Sequence, residues 1–126
     1  DRPFAAAAAP TWTGAAAVAA SLSLTEEIGI ERAGEQAMSV SERVLEGLNV
    51  LPVTVVTDIR PEHRSSILAF TFGSPERDAE FALFAKERAV WVGLRNMGIR
   101  VAAHYWNNAT DADRLLECVE EFAKSV

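Results

Sequence analysis

The segment from Gly98 to Asn108 constrains the fold of this chain more than any other, and it reads Gly-Ile-Arg-Val-Ala-Ala-His-Tyr-Trp-Asn-Asn. It begins as an apolar β-strand that carries a single arginine, Arg100, and it ends in polar and aromatic residues. An acidic, amphipathic sequence follows at once. Its apolar residues recur at helical spacing: Leu115, Leu116, Val119 and Phe122. The pattern predicts a strand that leads directly into a helix.

Helical and strand patterns alternate along the rest of the sequence. Apolar periodicity predicts helices over three earlier ranges: 14–28, 31–48 and 75–88. Runs of β-branched and apolar residues predict strands over four ranges: 53–57, 66–72, 90–94 and 99–105. This order indicates an α/β (α+β) fold in which helices cover a small mixed sheet of about four strands. At 126 residues, the chain is expected to form a single domain over residues 1–126.

Two apolar stretches carry expectations about burial. The alanine-rich stretch Phe4–Ala20 lacks a basic n-region and is broken by Pro10. It is therefore interpreted as a loop that enters a buried helix, and not as a signal peptide or a membrane span. The strand Ser66–Phe72 is apolar almost throughout, which predicts burial on both of its faces.

Polar residues mark the helix starts. Ser74 precedes Pro75 and acidic residues, so it is the expected N-cap of the helix that follows. Thr110 with Asp113 resembles a capping box for the last helix. Thr11 or Thr13 is the expected N-cap of the first helix.

Charge and cysteine content limit the partners and the compartment. The formal net charge is −6 and the basic residues form no cluster, which argues against nucleic acid and against an anionic membrane as partners. The single cysteine, Cys118, excludes an internal disulfide. Its apolar flanks on the last helix favour a buried, inert thiol. A reducing cytoplasm is the compartment that we expect.

Arg100 is the main candidate for a binding residue. A guanidinium on an otherwise apolar strand must face either a cleft or a partner acid. Its planar fork suits bidentate binding of a carboxylate. The alternative is an edge-strand arginine that pairs with a surface acid, and the residues alone leave both interpretations open.

The remaining reactive side chains support little chemistry. His104 closes the Arg100 strand, where it either lines the mouth of a site or forms a strand-to-helix corner. His63 lies in a charged loop, where a solvated histidine is the default, and the two histidines have no metal-site spacing. No serine nucleophile motif or glycine-rich phosphate loop occurs. Lys86 and Lys124 are predicted on charged helix faces, which do not suit a Schiff-base lysine.

Several segments, in this order, resemble class V aminotransferases, the pyridoxal-phosphate enzymes that include the cysteine desulfurases. The first two look like the helix junction that opens their C-terminal domain and the end of the next helix: Thr25–Glu31 and Val44–Leu48. The segment His63–Phe70 is similar to the family's "R-S-G-I-hydrophobic-x-F" strand. The segment Gly98–Asn108, followed by Asp113–Leu116, resembles its "I-R-V-S-P-H-x-Y-N-T" segment and terminal helix.

The resemblance implies the C-terminal small domain of a fold-type I pyridoxal-phosphate enzyme that acts on an amino acid. In that family the arginine at the position of Arg100 binds the substrate's α-carboxylate, and His104 lies in the same segment as a second substrate-binding residue. The cofactor lysine belongs to the large domain, so the resemblance implies no covalently bound pyridoxal phosphate on this chain. By itself the chain is expected to be inactive. The large domain, the amino acid substrate and a possible homodimer are the expected partners.

The sequence departs from the family at two places. Ala8-Ala9-Pro10-Thr11 stands where members often carry a Gly-Thr-Pro turn near the cofactor phosphate of a neighbouring subunit. Ala102-Ala103 replaces the usual Ser-Pro before His104. The alternative function is a stand-alone, non-catalytic binding or assembly module with the same fold. Transamination, desulfuration, epimerisation and elimination all remain open as reactions of the parent enzyme.

Overall fold

A computed structural model describes residues 11–125 of the chain. It contains four α-helices, four β-strands and a 3-10 turn, in this order: α1 (Trp12–Ile28), α2 (Ile30–Leu48), β1 (Thr54–Val55), the turn (Pro61–His63), β2 (Ile67–Thr71), α3 (Pro75–Glu87), β3 (Gly93–Arg95), β4 (Gly98–Ala102) and α4 (Ala109–Lys124). The predicted elements are all present, although each of the four strands is shorter than expected. The expectation about Ala8, Ala9 and Pro10 lies outside the described residues.

The strands form a four-stranded sheet in the order β1-β2-β4-β3, and every neighbouring pair is antiparallel. The α+β class and the number of strands are confirmed, but the expectation of a mixed sheet is wrong. Strands β2 and β3 do run in the same direction, as a helical crossover through α3 requires. They are not neighbours, because a short hairpin returns the chain from β3 into β4, which lies between them.

Within residues 11–125, helices cover only one face of the sheet. Leu68, Phe70 and Ile99 are buried on that face, at 5%, 0% and 0% exposure. Ile67 points the other way and is 45% exposed. The expectation that β2 is buried on both faces is therefore wrong, because side chains alternate along a strand and only one face has helices packed on it.

Aromatic side chains fill the core between this sheet face and the helices. Phe81 of α3 contacts Phe70 of β2 and Phe122 of α4, with ring centroids 5.8 and 5.5 Å apart. The Phe72 ring also contacts Phe81 and Phe122, with ring centroids 5.1 and 4.9 Å apart. Offset and edge-to-face packing of this kind adds about 0.5–1.5 kcal/mol per pair to the area burial. The cluster ties α3 and α4 to the centre of the sheet.

Helix α1 does not lie in the core. None of its residues is buried, and Trp12, Val18 and Leu22 are 81%, 59% and 59% exposed. The expectation of a buried first helix is wrong for the described chain, in which no other element covers this helix beyond its contact with α2. Thr11 is its N-cap, but the threonine side chain makes no capping hydrogen bond. Gly29, at φ 87°, separates α1 from α2.

The helix caps agree with the sequence in one case and differ in another. Ser74 caps α3 as predicted, and its hydroxyl accepts a hydrogen bond from the Arg77 N–H. Helix α4 starts earlier than predicted, with Asn108 as its N-cap and Asp111 as the reciprocal partner of the capping box. Asp113 is unavailable to a capping box, because its carboxylate pairs with another helix.

That pair joins α2 to α4. Arg43 donates two hydrogen bonds to the Asp113 carboxylate, at 2.6 and 2.9 Å. The guanidinium holds the pKa of Asp113 below its usual value through these hydrogen bonds. Both side chains remain about half exposed, so solvent screens the interaction and it contributes little to stability.

The β3–β4 hairpin requires glycine at position 98. Gly98 has φ 120°, and a Cβ there would lie 2.5 Å from the Phe70 carbonyl oxygen. Gly98→Ala should therefore lower the free energy of unfolding by about 3 kcal/mol, from backbone strain and overpacking together. Urea denaturation checks this. Gly34→Ala is the matched control, since a Cβ at Gly34 meets nothing and should stabilise α2 by up to about 1 kcal/mol. Equal effects from the two variants would contradict this account.

Helix α3 ends on an alanine in the left-handed region. Ala89 has φ 59°, and the Val90 N–H donates to the Ala85 carbonyl as in a Schellman motif, where glycine is usual. Ala89→Gly should raise the unfolding free energy by about 1 kcal/mol. Ala82→Gly, inside the same helix, should lower it by a similar amount. Thermal denaturation of both variants tests the prediction, and a loss of stability in Ala89→Gly would refute it.

Candidate functional site

The open face of the sheet carries the candidate site. Arg100 lies on β4, an interior strand, with Ala69 of β2 and Gly93 of β3 directly opposite. Because Ile99 faces the core, the neighbouring Arg100 side chain leaves the sheet on the face without helices. Both cross-strand neighbours are small. A Cβ added at Gly93 would lie 3.5 Å from the Arg100 Nε atom, so the guanidinium arm extends across β3.

The Arg100 side chain is half-buried and forms no ion pair within residues 11–125. Elsewhere in this part of the chain, arginines do pair with acids: Arg43, Arg60, Arg64 and Arg88. No buried side-chain nitrogen in the described chain lacks a hydrogen-bond partner, so the Arg100 donors reach the surface. The interpretation as an edge-strand arginine paired with a surface acid does not fit, because β4 is an interior strand.

His104 lies at the corner between β4 and α4, two residues beyond the end of the strand. Its backbone N–H donates to Asn107 Oδ1, and its ring Nδ1 accepts from the Tyr105 N–H, each at 3.0 Å. The ring stacks on Trp106 with centroids 3.5 Å apart. In this geometry a neutral ring carries its proton on Nε2. No hydrogen bond joins His104 to Arg100 in the described chain.

The corner is fixed from two sides. Gln36 of α2 donates from its side-chain amide to the Asn107 carbonyl, at 2.7 Å. Asn108 and Asp111 close the capping box immediately after it. Sequence reasoning identified the corner but missed Gln36, which is separated from Asn107 by 71 residues and gives no local signal. These contacts tie the backbone that follows His104 to α2 and to the start of α4.

His63 belongs to a separate, exposed cluster. Its Nδ1 lies 2.6 Å from Asp58 Oδ2, and Arg60 also donates to that carboxylate. Hydrogen bonds from Arg60 and then His63 hold the pKa of Asp58 far below its usual value. Sequence reasoning placed His63 in a charged loop and missed Asp58 as its partner. Within the described residues no group of three potential metal ligands occurs.

The lysines do not fit a covalent cofactor site. The Lys86 ammonium lies 5.4 Å from the centre of the exposed Trp91 ring. Lys124 pairs with Glu120 one turn earlier on α4, and its side chain is 71% exposed. A Schiff-base lysine needs a desolvated pocket that lowers its pKa. Both lysine side chains are exposed, outside any such pocket.

A buried carboxylate was missed at the sequence level. Asp78 of α3 is only 3% exposed and has no cation beside it among the described residues. It accepts hydrogen bonds from the Phe72 N–H at 2.7 Å and from the Thr71 hydroxyl at 2.8 Å. These bonds satisfy the carboxylate and tie the end of β2 to α3. Its role is structural, and only its position in the first turn of a helix hinted at it.

Solved structures share this fold. The chain superimposes on a cysteine desulfurase from Thermococcus onnurineus NA1 with a TM-score of 0.77 and 20% identity, covering 86% of this chain and 30% of that one. It matches the cystine C-S lyase C-DES, solved with its product cysteine persulfide, with a TM-score of 0.69, 24% identity and coverages of 82% and 27%. It also matches the phosphoserine aminotransferase from Bacillus circulans subsp. alkalophilus, with a TM-score of 0.58 and 19% identity. This match covers 72% of this chain and 26% of that one.

These similarities confirm the expected fold, because the chain shares its architecture with part of a cysteine desulfurase, a cystine C-S lyase and a phosphoserine aminotransferase. The chain spans less than a third of the length of each of these enzymes. No protein-family model and no curated protein sequence matches it. Among the described residues, no helix is both long enough and apolar enough to cross a membrane.

Cys118 is only 6% exposed, and burial raises the pKa of its thiol above the usual value. Because less thiolate is present near neutral pH, Cys118 should react slowly with a disulfide reagent at pH 8 and at full rate in denaturant. The comparison is a Ser39→Cys variant in a Cys118→Ala background, since Ser39 is exposed on α2. Equally fast labelling of both native proteins would contradict the buried, inert thiol.

Proposed function

We propose that this chain is the C-terminal small domain of a pyridoxal-phosphate enzyme of the class V aminotransferase and cysteine desulfurase type, and that Arg100 binds the carboxylate of its amino acid substrate. One observation carries the proposal. A half-buried guanidinium stands on an interior strand of the open sheet face, without an acid in the described chain to neutralise it.

The surroundings of Arg100 suit a carboxylate that arrives from outside. Ala69 and Gly93 put no bulk on either side of the arm, and the face above it has no helix on it. Arg43 is an example of an arginine that binds an acid of the same chain, because it donates two hydrogen bonds to the Asp113 carboxylate. The same fork on Arg100 is free to bind a substrate carboxylate in this bidentate manner.

His104 is the second substrate-binding residue in this proposal. Its Nδ1 is occupied by the Tyr105 N–H, which leaves an Nε2 donor on an exposed ring. Stacking on Trp106 restricts the ring to one orientation. Because the ring is already ordered, a hydrogen bond from Nε2 to an acceptor on the substrate costs little side-chain entropy.

The cofactor and its lysine belong, in this proposal, to a large domain that completes the enzyme. When bound, pyridoxal phosphate supplies an electron sink for a carbanion on the substrate. This chain contributes binding and orientation of the substrate, and by itself it should be inactive. We also propose a cytoplasmic location and a homodimer for the complete enzyme.

A second candidate function is a stand-alone binding or assembly module with the same fold. The exposed, apolar helix α1 also suits it, since a helix that is apolar on all sides normally packs against a partner, which here would be another protein in place of the large domain. The coding sequence upstream of residue 1 decides between the two functions. A cofactor-binding domain there supports the enzyme, and its absence supports the module.

Arg100→Ala in the complete enzyme should weaken binding of the substrate carboxylate by about 2–5 kcal/mol if the ion pair is desolvated. Arg100→Lys should recover only part of this loss, because an ammonium lacks the planar fork. The measurement compares the affinity for the amino acid with that for its carboxamide, while the visible absorbance of the cofactor verifies that it stays bound.

Arg95→Ala is the matched control for this experiment. Arg95 is exposed at the end of the neighbouring strand, and its side chain donates only to the Leu94 carbonyl within the part of the chain that the structure describes. We expect it to leave the preference for carboxylate over carboxamide unchanged. If Arg100→Ala also leaves that preference unchanged, Arg100 does not bind the substrate.

A further inference from the structure

A cavity of about 250 Å³ lies on the helix side of the sheet, between α2, α4, the end of β4 and the segment 89–92. Its walls combine the polar residues Asn107, Asp111 and Arg114 with apolar ones that include Val40, Val44, Val92, Val101, Ala112 and Leu115. Val101 follows Arg100 along an extended strand, so the two side chains leave opposite faces of the sheet. The cavity is therefore separate from the site proposed around Arg100, and it does not depend on the proposed function.

Two opposite charges stand at the mouth of this cavity. Asp111 and Arg114 both line it, one turn apart on α4. At this spacing an aspartate and an arginine commonly pair, yet these two form no salt bridge with each other. Among the described residues, the Arg114 side chain donates only to the Arg88 carbonyl, at 3.2 Å. It has no acidic partner within residues 11–125, so most of its donors are available.

The carboxylate of Asp111 can also accept further hydrogen bonds. Its Oδ2 accepts from the Asn108 N–H at 3.1 Å and from the Asn107 side-chain amide at 3.3 Å. Its Oδ1 accepts no hydrogen bond within the described part of the chain. The mouth thus presents a carboxylate oxygen and a guanidinium one turn apart on α4, beside the apolar residues of the lining.

We propose that this cavity binds a free, apolar amino acid as a zwitterion. The ligand's carboxylate would meet Arg114, its ammonium would meet Asp111 Oδ1, and its side chain would enter the valine-lined interior. At the roughly 30 Å³ that a water molecule occupies, 250 Å³ holds about eight non-hydrogen atoms. Valine is of this size. A bound amino acid here is a second, non-reacting ligand, because the cavity contains no nucleophile or lysine.

Calorimetry with valine tests the proposal on the protein at its full encoded length. An Arg100→Ala background removes the proposed substrate site, so that binding in the cavity is measured alone. Valine should bind with one-to-one stoichiometry. Isobutylamine, which lacks the carboxylate, and 3-methylbutanoate, which lacks the ammonium, should each bind roughly tenfold or more weakly, as expected for loss of a charged hydrogen bond.

Two variants separate the charge from the cavity. Arg114→Gln should weaken valine binding roughly tenfold and bring valine close to isobutylamine in affinity. Arg95→Gln is its matched control, because in the described chain the Arg95 side chain likewise donates only to a backbone carbonyl, but Arg95 lies outside the cavity. Val92→Trp should abolish binding by filling the interior, while thermal denaturation verifies that each variant is folded.

Several results would overturn the proposal. These are no valine binding in the Arg100→Ala background, equal affinity for valine and its two single-charge analogues, or an equal loss in Arg114→Gln and Arg95→Gln. None of them bears on Arg100, whose own test uses the carboxylate and carboxamide of the substrate. Failure of one proposal is therefore distinguishable from failure of the other.

Discussion

The aromatic cluster on one face of the sheet is the interaction on which the rest of the structure depends. Phe81 packs against both Phe70 and Phe122, so α3 and α4 are held to the same face. Once Phe70 and its neighbour Ile99 face the helices, alternation along the strands fixes what faces the other way. That face receives Ala69 and Arg100, which lie opposite each other in the register of β2 and β4. The position of the candidate site thus follows from the packing of the core.

Arg100 differs from the other arginines in how its charge is compensated. Arg88 forms a bidentate pair with Glu121 and lies 3.4 Å above the Phe84 ring, so its charge and its apolar arm both have partners. Arg100 has an arm supported by the sheet and no acid in the described chain. A guanidinium in this state gains most from a carboxylate that brings both acceptor oxygens at once. The resemblance to class V aminotransferases and the local chemistry, two independent arguments, therefore lead to the same residue.

The sequence predicted the features that depend on interactions between residues close together in the chain. The apolar period of α2, the Ser74 cap and the strand that carries Arg100 were all readable, because each depends on neighbours within one or two turns. The errors concern contacts between distant segments. Asp113 had the right spacing for a capping box, but its pairing with Arg43 on another helix took precedence. The antiparallel pairing of β2 with β4 could not be predicted either, because the sequence of a strand does not specify which strand it pairs with. The interior position of Arg100 follows from that pairing.

The open sheet face and helix α1 share one property. Both expose apolar surface that the described chain leaves uncovered: Ile67 is 45% exposed on the sheet, and Leu22 is 59% exposed on α1. A domain of this size gains stability by burying such side chains, at about 25 cal/mol per Å². The chain covers only 26–30% of the length of the enzymes that share the fold. In the proposed enzyme the large domain would cover both surfaces. The same contact would then enclose Arg100, exclude water from its fork and strengthen its attraction for a carboxylate.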